Sequence, residues 1–413
     1  MKTDVVVIGG GPAGLAAALK ASERVEVMLL ERGEELGGIL PQCIHHGFGN
    51  FIFQKMLTGP EYAQHYVDLV KQSSIDVRTE TMVLSLDGNC RIMATNPREG
   101  LVEIEAKAVV LAMGCRERTR NQILLPGTRP AGIYTAGTAQ RLINMDGLMP
   151  GKRVVILGSG DVGLIMARRF TLEGAEVEGV YELMPFPGGL TRNVVQCLHD
   201  YDIPLHLSHT VVDIRGQRRL EGVVVARVDE SFTPVAGTER FIPCDCLILA
   251  VGLIPENELT RGCGIEMDGR TGGPVVDECM ETSVSGIFAC GNVVHVHDVV
   301  DDVSLSAERA GMCAARHAEG NGEKVRKNIP LLPGENVRYV VPQRLSGAES
   351  MPITLYLRVM DAAENVNITV SSGGALIVEK KERVVRPPEM VKVELPAESV
   401  KNIAGEVRVD VRK

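Results

Sequence analysis

The hydrophobic pattern near the N-terminus passes from short apolar runs to helical spacing and back. Asp4–Ile8 is an apolar run that predicts a buried strand, and a helical pattern follows it to Leu19. A second apolar run, Val25–Leu30, predicts another strand. The same order returns later as a strand at Arg153–Leu157, a helix at Val162–Glu173 and a strand at Glu176–Tyr181. The chain therefore contains an internal repeat, which predicts an α/β fold with parallel sheets.

Beyond residue 323 apolar and polar positions alternate, which is typical of strands. The runs predicted as strands are Val337–Val341, Ile353–Val359, Val366–Val370, Ala375–Val378, Met390–Leu395 and Val407–Val411. Composition changes at the same point, since this segment holds five of the 44 glycines and none of the ten cysteines or nine histidines. We expect a small all-β C-terminal domain over 323–413, following a linker at 319–324.

Charge and composition exclude several classes of partner. The net charge is −9, only 4% of residues are aromatic and tryptophan is absent, which argues against a nucleic-acid-binding protein. No apolar run approaches the ~18 residues of a membrane span, and the N-terminus lacks the apolar region of a signal peptide. The cysteines are scattered without a C-x-x-C pair, so we expect a cytoplasmic protein.

The glycines of the first repeat form a nucleotide-binding pattern. Gly9, Gly11 and Gly14 satisfy G-x-G-x-x-G between a strand and a helix, and Glu31 ends the next strand. In such a loop the first glycine permits a tight turn, the second admits a pyrophosphate and the third lets the helix pack against the strand. Glu31 can accept the hydroxyls of a ribose. The alternative is an ordinary glycine-rich turn, which the complete context disfavours.

The second repeat carries the same pattern at Gly158, Gly160 and Gly163, with Glu182 after the next strand. A carboxylate there repels a 2′-phosphate, so we expect NAD(H) rather than NADP(H), although Arg192 can weaken that preference. Two dinucleotide sites in one chain indicate a hydride relay.

This arrangement resembles the two-dinucleotide-binding flavoproteins, the pyridine nucleotide oxidoreductase superfamily that includes thioredoxin reductase. The resemblance covers residues 1–320 and extends to Val109–Gly114 and Leu247–Gly252, which are similar to the motifs that close each half. Gly286–Asn292 resembles the late FAD motif, but Asn292 stands where the family has an aspartate that bonds the ribitol of FAD.

The resemblance implies two Rossmann-like domains, an FAD-binding domain over 1–118 and 275–322 and an NAD(H)-binding domain over 119–274. The residues it implies for FAD are Gly9, Gly11, Pro12, Ala13, Gly14, Glu31, Arg32, Gly38, Ile39, Gln42, Val83, Ala112, Gly114, Gly291, Asn292, Val303 and Ser304. Those it implies for NAD(H) are Gly158, Gly160, Asp161, Gly163, Glu182 and Gly252. It also implies a helix that starts near Asp302, capped by one of the aspartates, with Val303 and Ser304 at the flavin's pyrimidine edge.

The chain departs from the disulfide reductases of this superfamily because it lacks their redox cysteine pair. Cys43 stands alone after Gly37-Gly38, as a candidate redox thiol or, the interpretation we favour, a small packed residue beside the flavin. The segment Tyr134–Asn144 more closely resembles the α-type subunits of opine oxidase, hydrogen cyanide synthase, dye-linked proline dehydrogenase and heterotetrameric sarcosine oxidase. A looser resemblance links the chain to subunits that accompany a glycerol-3-phosphate dehydrogenase-like flavoprotein. We expect no metal site, because His295 and His297 have no further ligands at suitable spacing.

Three functions remain open at this point. The first is an electron-transfer subunit that links NAD(H) to a partner dehydrogenase or acceptor subunit, with the C-terminal domain as a docking surface. The second is a self-contained FAD-dependent dehydrogenase of an amine, opine or polyol phosphate. The third is a non-enzymatic flavoprotein subunit. The sequence is also compatible with a homo-oligomer, although a lone homo-oligomer would count against the first function.

Overall fold

The computed structural model describes residues 1–321, 328–347, 351–396, 398–399, 403 and 405–413. The domain boundary expected at 322/323, with positions 322–324 of the expected linker, lies outside the described residues. The chain divides into two compact units, the first formed by Met1–Cys115 and Pro255–Lys413 and the second by Arg116–Ile254. The division into three domains stays a prediction.

The described residues form helices and strands throughout both units. The helices are α1 (Pro12–Ser22), α2 (Gly59–Gln72), α3 (Ala136–Asn144), α4 (Asp161–Leu172), α5 (Thr191–Cys197), α6 (Glu258–Gly262) and α7 (Val300–Ala318). The strands up to residue 117 are β1 (Lys2–Ile8), β2 (Val27–Leu30), β3 (His46–Phe48), β4 (Leu57–Thr58), β5 (Asp76–Arg78), β6 (Met82–Leu86), β7 (Arg91–Asn96), β8 (Gly100–Leu111) and β9 (Cys115–Glu117). Those from 133 to 255 are β10 (Ile133–Thr135), β11 (Arg153–Leu157), β12 (Glu176–Glu182), β13 (Leu205–Leu207), β14 (His209–Gly216), β15 (Leu220–Arg227), β16 (Arg240–Pro243), β17 (Cys246–Leu249) and β18 (Leu253–Pro255). The remainder are β19 (Ile287–Ala289), β20 (Ile329–Pro333), β21 (Val337–Val341), β22 (Arg344–Leu345), β23 (Ile353–Val359), β24 (Ala363–Ser372), β25 (Ala375–Val385), β26 (Val391–Leu395) and β27 (Val407–Arg412).

A seven-stranded sheet in the order β5-β2-β1-β8-β7-β6, with β19 also paired to β8, forms the centre of the first unit. Strands β5, β2, β1, β8 and β19 are parallel, and β1 is fully buried from Val5 to Val7 because side chains cover both faces. Helix α7 lies close to α1, since a Cβ at Gly311 would come within 2.1 Å of the Ala17 carbonyl oxygen. This contact fixes α7 beside the helix that follows the first glycine loop.

The second unit repeats the parallel arrangement on a smaller scale. Its five-stranded sheet has the order β10-β17-β11-β12-β13, with every pair parallel, and an antiparallel sheet β14-β15-β16 accompanies it. Strand β11 leads through the second glycine loop into α4, as the repeat in the sequence predicts. The predicted strands and helices of both repeats are present, with ends that differ by at most three residues.

The C-terminal strands form two sheets, β22-β20-β27-β24-β25 and β21-β23-β26. Apolar side chains from both sheets share one core, for example Ile368 and Val409 from the first and Leu355 from the second. The alternation in the sequence predicted six of these strands, two of them, β21 and β23, with their observed ends. Strands β20 and β22 were not predicted, because prolines interrupt the first and the second spans only two residues.

The start of α7 corrects the expected cap. The helix begins at Val300, and the N-cap residue Val299 makes no side-chain cap hydrogen bond. Asp301 lies in the first turn, and its carboxylate instead accepts the main-chain N–H groups of Gly49 and Ile52 at 3.2 and 3.0 Å. The prediction of an aspartate cap was wrong because a loop distant in sequence takes up this carboxylate.

Candidate functional site

The first glycine loop joins β1 to α1 in a form that excludes side chains at two positions. Gly9 has a φ of +108°, and a Cβ there would lie 2.5 Å from the Ala112 carbonyl oxygen. A Cβ at Gly14 would lie 1.7 Å from the Gly9 carbonyl oxygen. Gly11 precedes Pro12, whose ring suits the first position of α1 because the amide at that position needs no helical partner. The loop therefore brings the start of α1 against the end of the sheet.

The middle glycine of this loop has open space beside it. A Cβ at Gly11 would meet only the Gly38 Cα, at 3.8 Å. Gly38 follows Gly37, whose N–H donates to the Gly10 carbonyl oxygen at 2.8 Å. The double glycine Gly37-Gly38 therefore lies against the loop, and together they form a cradle of main-chain atoms at the N-terminus of α1. The N–H groups and the helix dipole at this position favour an anion. These residues fit the pyrophosphate of a dinucleotide.

Glu31 is fixed beside this cradle by main-chain donors. Its Oε2 accepts the Gly10 N–H at 2.6 Å and its Oε1 accepts the Gly33 N–H at 2.7 Å. The carboxylate is half-buried, and its two oxygens can accept about four hydrogen bonds in all. Acceptor capacity therefore remains for the hydroxyls of a ribose.

The second glycine loop has the same construction. Gly158 has a φ of +94°, and a Cβ there would lie 2.2 Å from the Ala250 carbonyl oxygen. A Cβ at Gly163 would lie 2.5 Å from the Ala250 Cβ, whereas one at Gly160 would meet only the Ala250 oxygen at 3.7 Å. The outer two glycines are again enclosed and the middle one is open, so the loop fits a second pyrophosphate.

Glu182 and Asp161 of this second site are both held by hydrogen bonds. Glu182 is 8% exposed, and it accepts the Ser159 N–H at 2.8 Å, the Ser159 hydroxyl at 2.6 Å and the Met184 N–H at 2.9 Å. Asp161, the first residue of α4, accepts the Leu190 N–H at 2.8 Å and the side-chain amide of Asn193 at 2.7 Å. The segment that follows β12 is therefore tied to the loop.

The first turn of α7 reaches the first glycine loop. A Cβ at Gly291 would lie 2.7 Å from the Ala13 Cβ and 3.2 Å from Val303 Cγ1, so these three residues converge. The Ser304 hydroxyl is fully buried and lies 2.8 Å from the Tyr62 hydroxyl. Val303 and Ser304 are thus placed beside the glycine loop, where the resemblance puts the flavin.

Asn292 is oriented by a neighbouring histidine. Its Oδ1 accepts the His297 N–H at 3.0 Å and lies 3.3 Å from His297 Nδ1. The side-chain amide nitrogen is consequently directed the other way, and it lies 3.6 Å from the Cys115 Sγ. An amide N–H can donate to an oxygen of a cofactor, whereas the family's aspartate can only accept.

The other residues predicted to bind FAD, and Gly252 predicted to bind NAD(H), lie in varied surroundings. Gln42 and Val83 are buried, whereas Arg32 and Ile39 are exposed. Gly114 follows β8 with open space beside it, and in the second unit the Gly252 carbonyl accepts the Arg118 N–H at 2.9 Å. Their roles stay predictions.

Cys43 follows the 3₁₀ turn Leu40–Gln42, and its thiol lies 3.4 Å from the Ile39 carbonyl oxygen. Burial raises the pKa of the Cys43 thiol to about 12, because an anion in this enclosed position would lose its hydration. A protonated thiol is a weak nucleophile, so these surroundings favour the packed residue over the redox thiol.

His295 and His297 pack against each other with their ring planes tilted by 37°, rather than around an open metal position. Their ring centroids lie 4.0 Å apart, and each lies 5.5 Å from the ring of Tyr356. Burial lowers the pKa of His297 to about 3 and lowers that of His295 as well, so both rings are neutral. Within the described part of the chain no three histidine, cysteine, aspartate or glutamate side chains form a group that could hold a metal ion.

The C-terminal strands bring two cations to the start of α7 that the sequence does not predict. Arg358 binds the Asp298 carboxylate, which also accepts the Met390 N–H at 2.6 Å. Lys392 Nζ lies 2.8 Å from Asp302 Oδ1. The only signal in the sequence was the excess of basic residues in the C-terminal segment, which does not identify their partners.

No helix among the residues that the structure describes combines the length and apolar character needed to cross a membrane.

Comparison with known proteins identifies relatives of both the sequence and the fold. The family model for pyridine nucleotide-disulphide oxidoreductase matches residues 3–322. The HcnB subunit of hydrogen cyanide synthase from Pseudomonas aeruginosa is 27% identical over 335 residues, 76% of this chain and 69% of HcnB. An opine oxidase subunit of Agrobacterium tumefaciens is 27% identical over 311 residues, 70% of this chain and 61% of the relative.

Solved structures share the fold. Thioredoxin reductase of T. acidophilum superposes with a TM-score of 0.61 at 24% identity, over 78% of this chain and 98% of that enzyme. An NAD-dependent persulfide reductase from A. fulgidus gives a TM-score of 0.60 at 21% identity, over 97% of this chain and 75% of that protein. The fold class expected from the sequence, two Rossmann-like domains with a strand-rich C-terminal region, is confirmed.

Proposed function

We propose that this chain, which belongs to the pyridine nucleotide-disulphide oxidoreductase family, transfers a hydride between NAD(H) and FAD as the electron-transfer subunit of a multi-subunit dehydrogenase. The family assignment confirms the predicted FAD-dependent oxidoreductase, and proteins of this family use FAD and NAD(P)H. The preference for NAD(H), the direction of transfer and the partner belong to the proposal.

The presence of two glycine loops of the same construction, one in each unit, carries this proposal. FAD, when bound, supplies a flavin ring that can accept a hydride. The N–H groups around Gly11 would bind the FAD pyrophosphate, Glu31 the adenosine ribose, and the amide of Asn292 an oxygen of the cofactor. The loop around Gly160 would bind the pyrophosphate of the nicotinamide dinucleotide, beside a carboxylate, Glu182, that disfavours a 2′-phosphate.

The cysteines support a route for electrons other than a disulfide. Cys43 is the only cysteine between the first glycine loop and residue 89, and the segment 131–138 before the second loop holds none. Because the dithiol relay of the disulfide reductases needs a cysteine pair at one of these two places, electrons from the flavin require another acceptor. HcnB and the opine oxidase relative are subunits of larger enzymes, which supports a partner protein as that acceptor. The scattered cysteines favour a cytoplasmic location.

The C-terminal sheets provide a surface suited to docking. Strand β25, from Ala375 to Val385, lies at the edge of the five-stranded sheet, and every residue except Val385 is exposed or half-buried. An exposed edge strand can pair with a strand of another protein. We propose this region as the contact for the partner subunit.

Anaerobic titration of the purified protein with NADH and with NADPH tests the function. The proposal expects bound FAD that NADH bleaches at lower concentration than NADPH, and no turnover of small metabolites by the chain alone. Bleaching by an amine, opine or polyol phosphate without NADH would instead establish the self-contained dehydrogenase. Bound FAD that neither nucleotide reduces would establish the non-enzymatic flavoprotein. In a native pull-down we expect a stoichiometric partner, and a lone homo-oligomer would contradict the electron-transfer role.

A further inference from the structure

The two nucleotide loops are related position by position. In each, one oxygen of the glutamate accepts the N–H of the second loop residue, Gly10 or Ser159, at 2.6 and 2.8 Å. The other oxygen accepts the N–H two residues after the glutamate, from Gly33 and from Met184, at 2.7 and 2.9 Å. The two loops can therefore be compared residue by residue within this chain.

The repeat extends to a double glycine at the same distance beyond each glutamate. Gly37-Gly38 stands six and seven residues after Glu31, and Gly188-Gly189 stands six and seven residues after Glu182. Both pairs lie against their loops. A Cβ at Gly38 would lie 2.8 Å from Gly11 Cα, and one at Gly188 would lie 3.6 Å from Gly160 N. Each double glycine thus borders the open middle glycine where a pyrophosphate would bind.

The loops differ at their second residue, which is glycine in the first loop and serine in the second. The Ser159 hydroxyl donates to Glu182 Oε2 at 2.6 Å and accepts the Gly188 N–H at 2.7 Å. In the first loop the corresponding tie is purely main-chain, from Gly37 N–H to the Gly10 carbonyl. The serine side chain therefore adds a bridge between the glutamate and the double glycine that the first loop lacks.

This bridge removes acceptor capacity that a ribose would use. Glu182 accepts three hydrogen bonds and is 8% exposed, whereas Glu31 accepts two from main-chain donors and is half-buried. A ribose hydroxyl must reach the carboxylate to donate a hydrogen bond to it. Glu31 is accessible to such a hydroxyl, whereas Glu182 is covered.

We propose that the Ser159 hydroxyl is a latch on the ribose position of the second nucleotide site: it occupies an acceptor position of Glu182 and ties Gly188 to that carboxylate, while the pyrophosphate space beside Gly160 stays open. The ribose of a nicotinamide dinucleotide then donates to Glu182 only after the Ser159 hydroxyl releases that carboxylate, so Ser159 lowers the affinity of the site. This inference rests on the proposed use of NAD(H) at the second loop. Ser159 acts through Glu182 and Gly188 and is an affinity-determining residue rather than a catalytic one.

Two variants of the FAD-loaded protein test the latch. Ser159→Ala removes the hydroxyl, and Ser159→Gly reproduces the residue of the first loop. Both are expected to bind NAD⁺ about tenfold more tightly in isothermal titration, as loss of one charge-assisted hydrogen bond predicts. Ser231→Ala, at an exposed position of the same unit, is the matched control and should leave the affinity unchanged. Unchanged or weaker binding by both Ser159 variants would overturn the proposal.

Hydrogen exchange separates the latch from the proposed function. Without nucleotide, the Gly188 amide is expected to exchange faster in Ser159→Ala than in the wild type, because its acceptor is gone. Equal exchange would show that Ser159 holds nothing closed and would reject the latch. Faster exchange combined with no binding of NAD⁺ by any variant would support the latch and reject the use of NAD(H) at this loop.

Discussion

Lys392 on strand β26 forms an ion pair with Asp302 in the first turn of α7, with 2.8 Å between Nζ and Oδ1. Asp302 is 5% exposed, and the Lys392 ammonium also lies 5.2 Å from the centroid of the Phe51 ring. The pair joins a strand of the C-terminal β region to the helix whose first turn borders the first glycine loop. Without its lysine, the carboxylate would be a buried and unpaired charge.

Removal of this lysine should destabilise the first unit. Lys392→Met is expected to lower the free energy of unfolding by about 2 kcal/mol, since it leaves the buried Asp302 carboxylate without its cation. Urea unfolding monitored by circular dichroism measures the change. Lys381→Met, at an exposed position on β25, is the control. Asp302→Asn in the Lys392→Met background should recover most of the loss, and no recovery would show that charge is not the cause.

The first glycine loop predicts opposite outcomes for two alanine substitutions. At Gly14 a Cβ would lie 1.7 Å from the Gly9 carbonyl oxygen, so Gly14→Ala should destabilise the protein by about 3 kcal/mol or prevent folding. At Gly11 the nearest atom would be 3.8 Å away, so Gly11→Ala should fold normally. It should nevertheless lose FAD, because its methyl group occupies the space of the pyrophosphate. Thermal unfolding and the ratio of flavin to protein absorbance distinguish the two, and a Gly11→Ala protein with full FAD content would contradict the assigned cradle.

The buried histidines predict a loss of stability in mild acid. Burial lowers the pKa of His297 to about 3 from a usual value of about 6.5, and lowers that of His295 too. Between pH 6.5 and 3 the unfolded chain binds protons that the folded chain does not, so stability falls as the pH falls, by up to about 1.4 kcal/mol per pH unit for each histidine. Urea unfolding midpoints at pH 7 and pH 5 measure this slope. His295→Phe should make it shallower, whereas His199→Gln, at an exposed position, should leave it unchanged.

Cys43 should behave as a packed thiol rather than a redox centre. With a pKa of about 12, against about 9 for an ordinary thiol, its thiolate is about a thousandfold scarcer at pH 8. Iodoacetamide should therefore alkylate it far more slowly than free cysteine, as followed by mass spectrometry. Cys43→Ser should retain reduction of the flavin by NADH. Rapid alkylation of Cys43, together with loss of flavin reduction in Cys43→Ser, would instead support a redox role for this thiol.

The sequence predicted those parts of the fold and site that depend on neighbours in the chain. Gly9, Gly14 and Glu31 were recognisable because a strand, a loop and a helix N-terminus fix their roles within about 25 residues. Six of the eight described strands of the C-terminal region were recognisable from alternation alone. Each of these features follows from local backbone geometry.

Contacts between distant segments could not be predicted in this way. The pairs Arg358–Asp298 and Lys392–Asp302 join residues 60 and 90 positions apart, and many surface charges could have formed similar pairs. The cap expected for α7 was wrong for the same reason, since the carboxylate of Asp301 binds the loop at 49–52. The hydrogen bonds that the Ser159 hydroxyl makes with Glu182 and Gly188 could not be predicted either. The G-x-G-x-x-G pattern does not fix where Gly188 lies relative to the loop.

The two C-terminal cations have a consequence for shortening the chain. A protein truncated after residue 321 would retain every glycine of both nucleotide loops and would still match the family almost completely. It would, however, leave Asp298 and Asp302 without Arg358 and Lys392, at the helix that borders the first loop. The C-terminal β region thus supplies the counter-ions of two carboxylates at the start of α7 as well as a surface, so trimming it away is expected to destabilise the first unit.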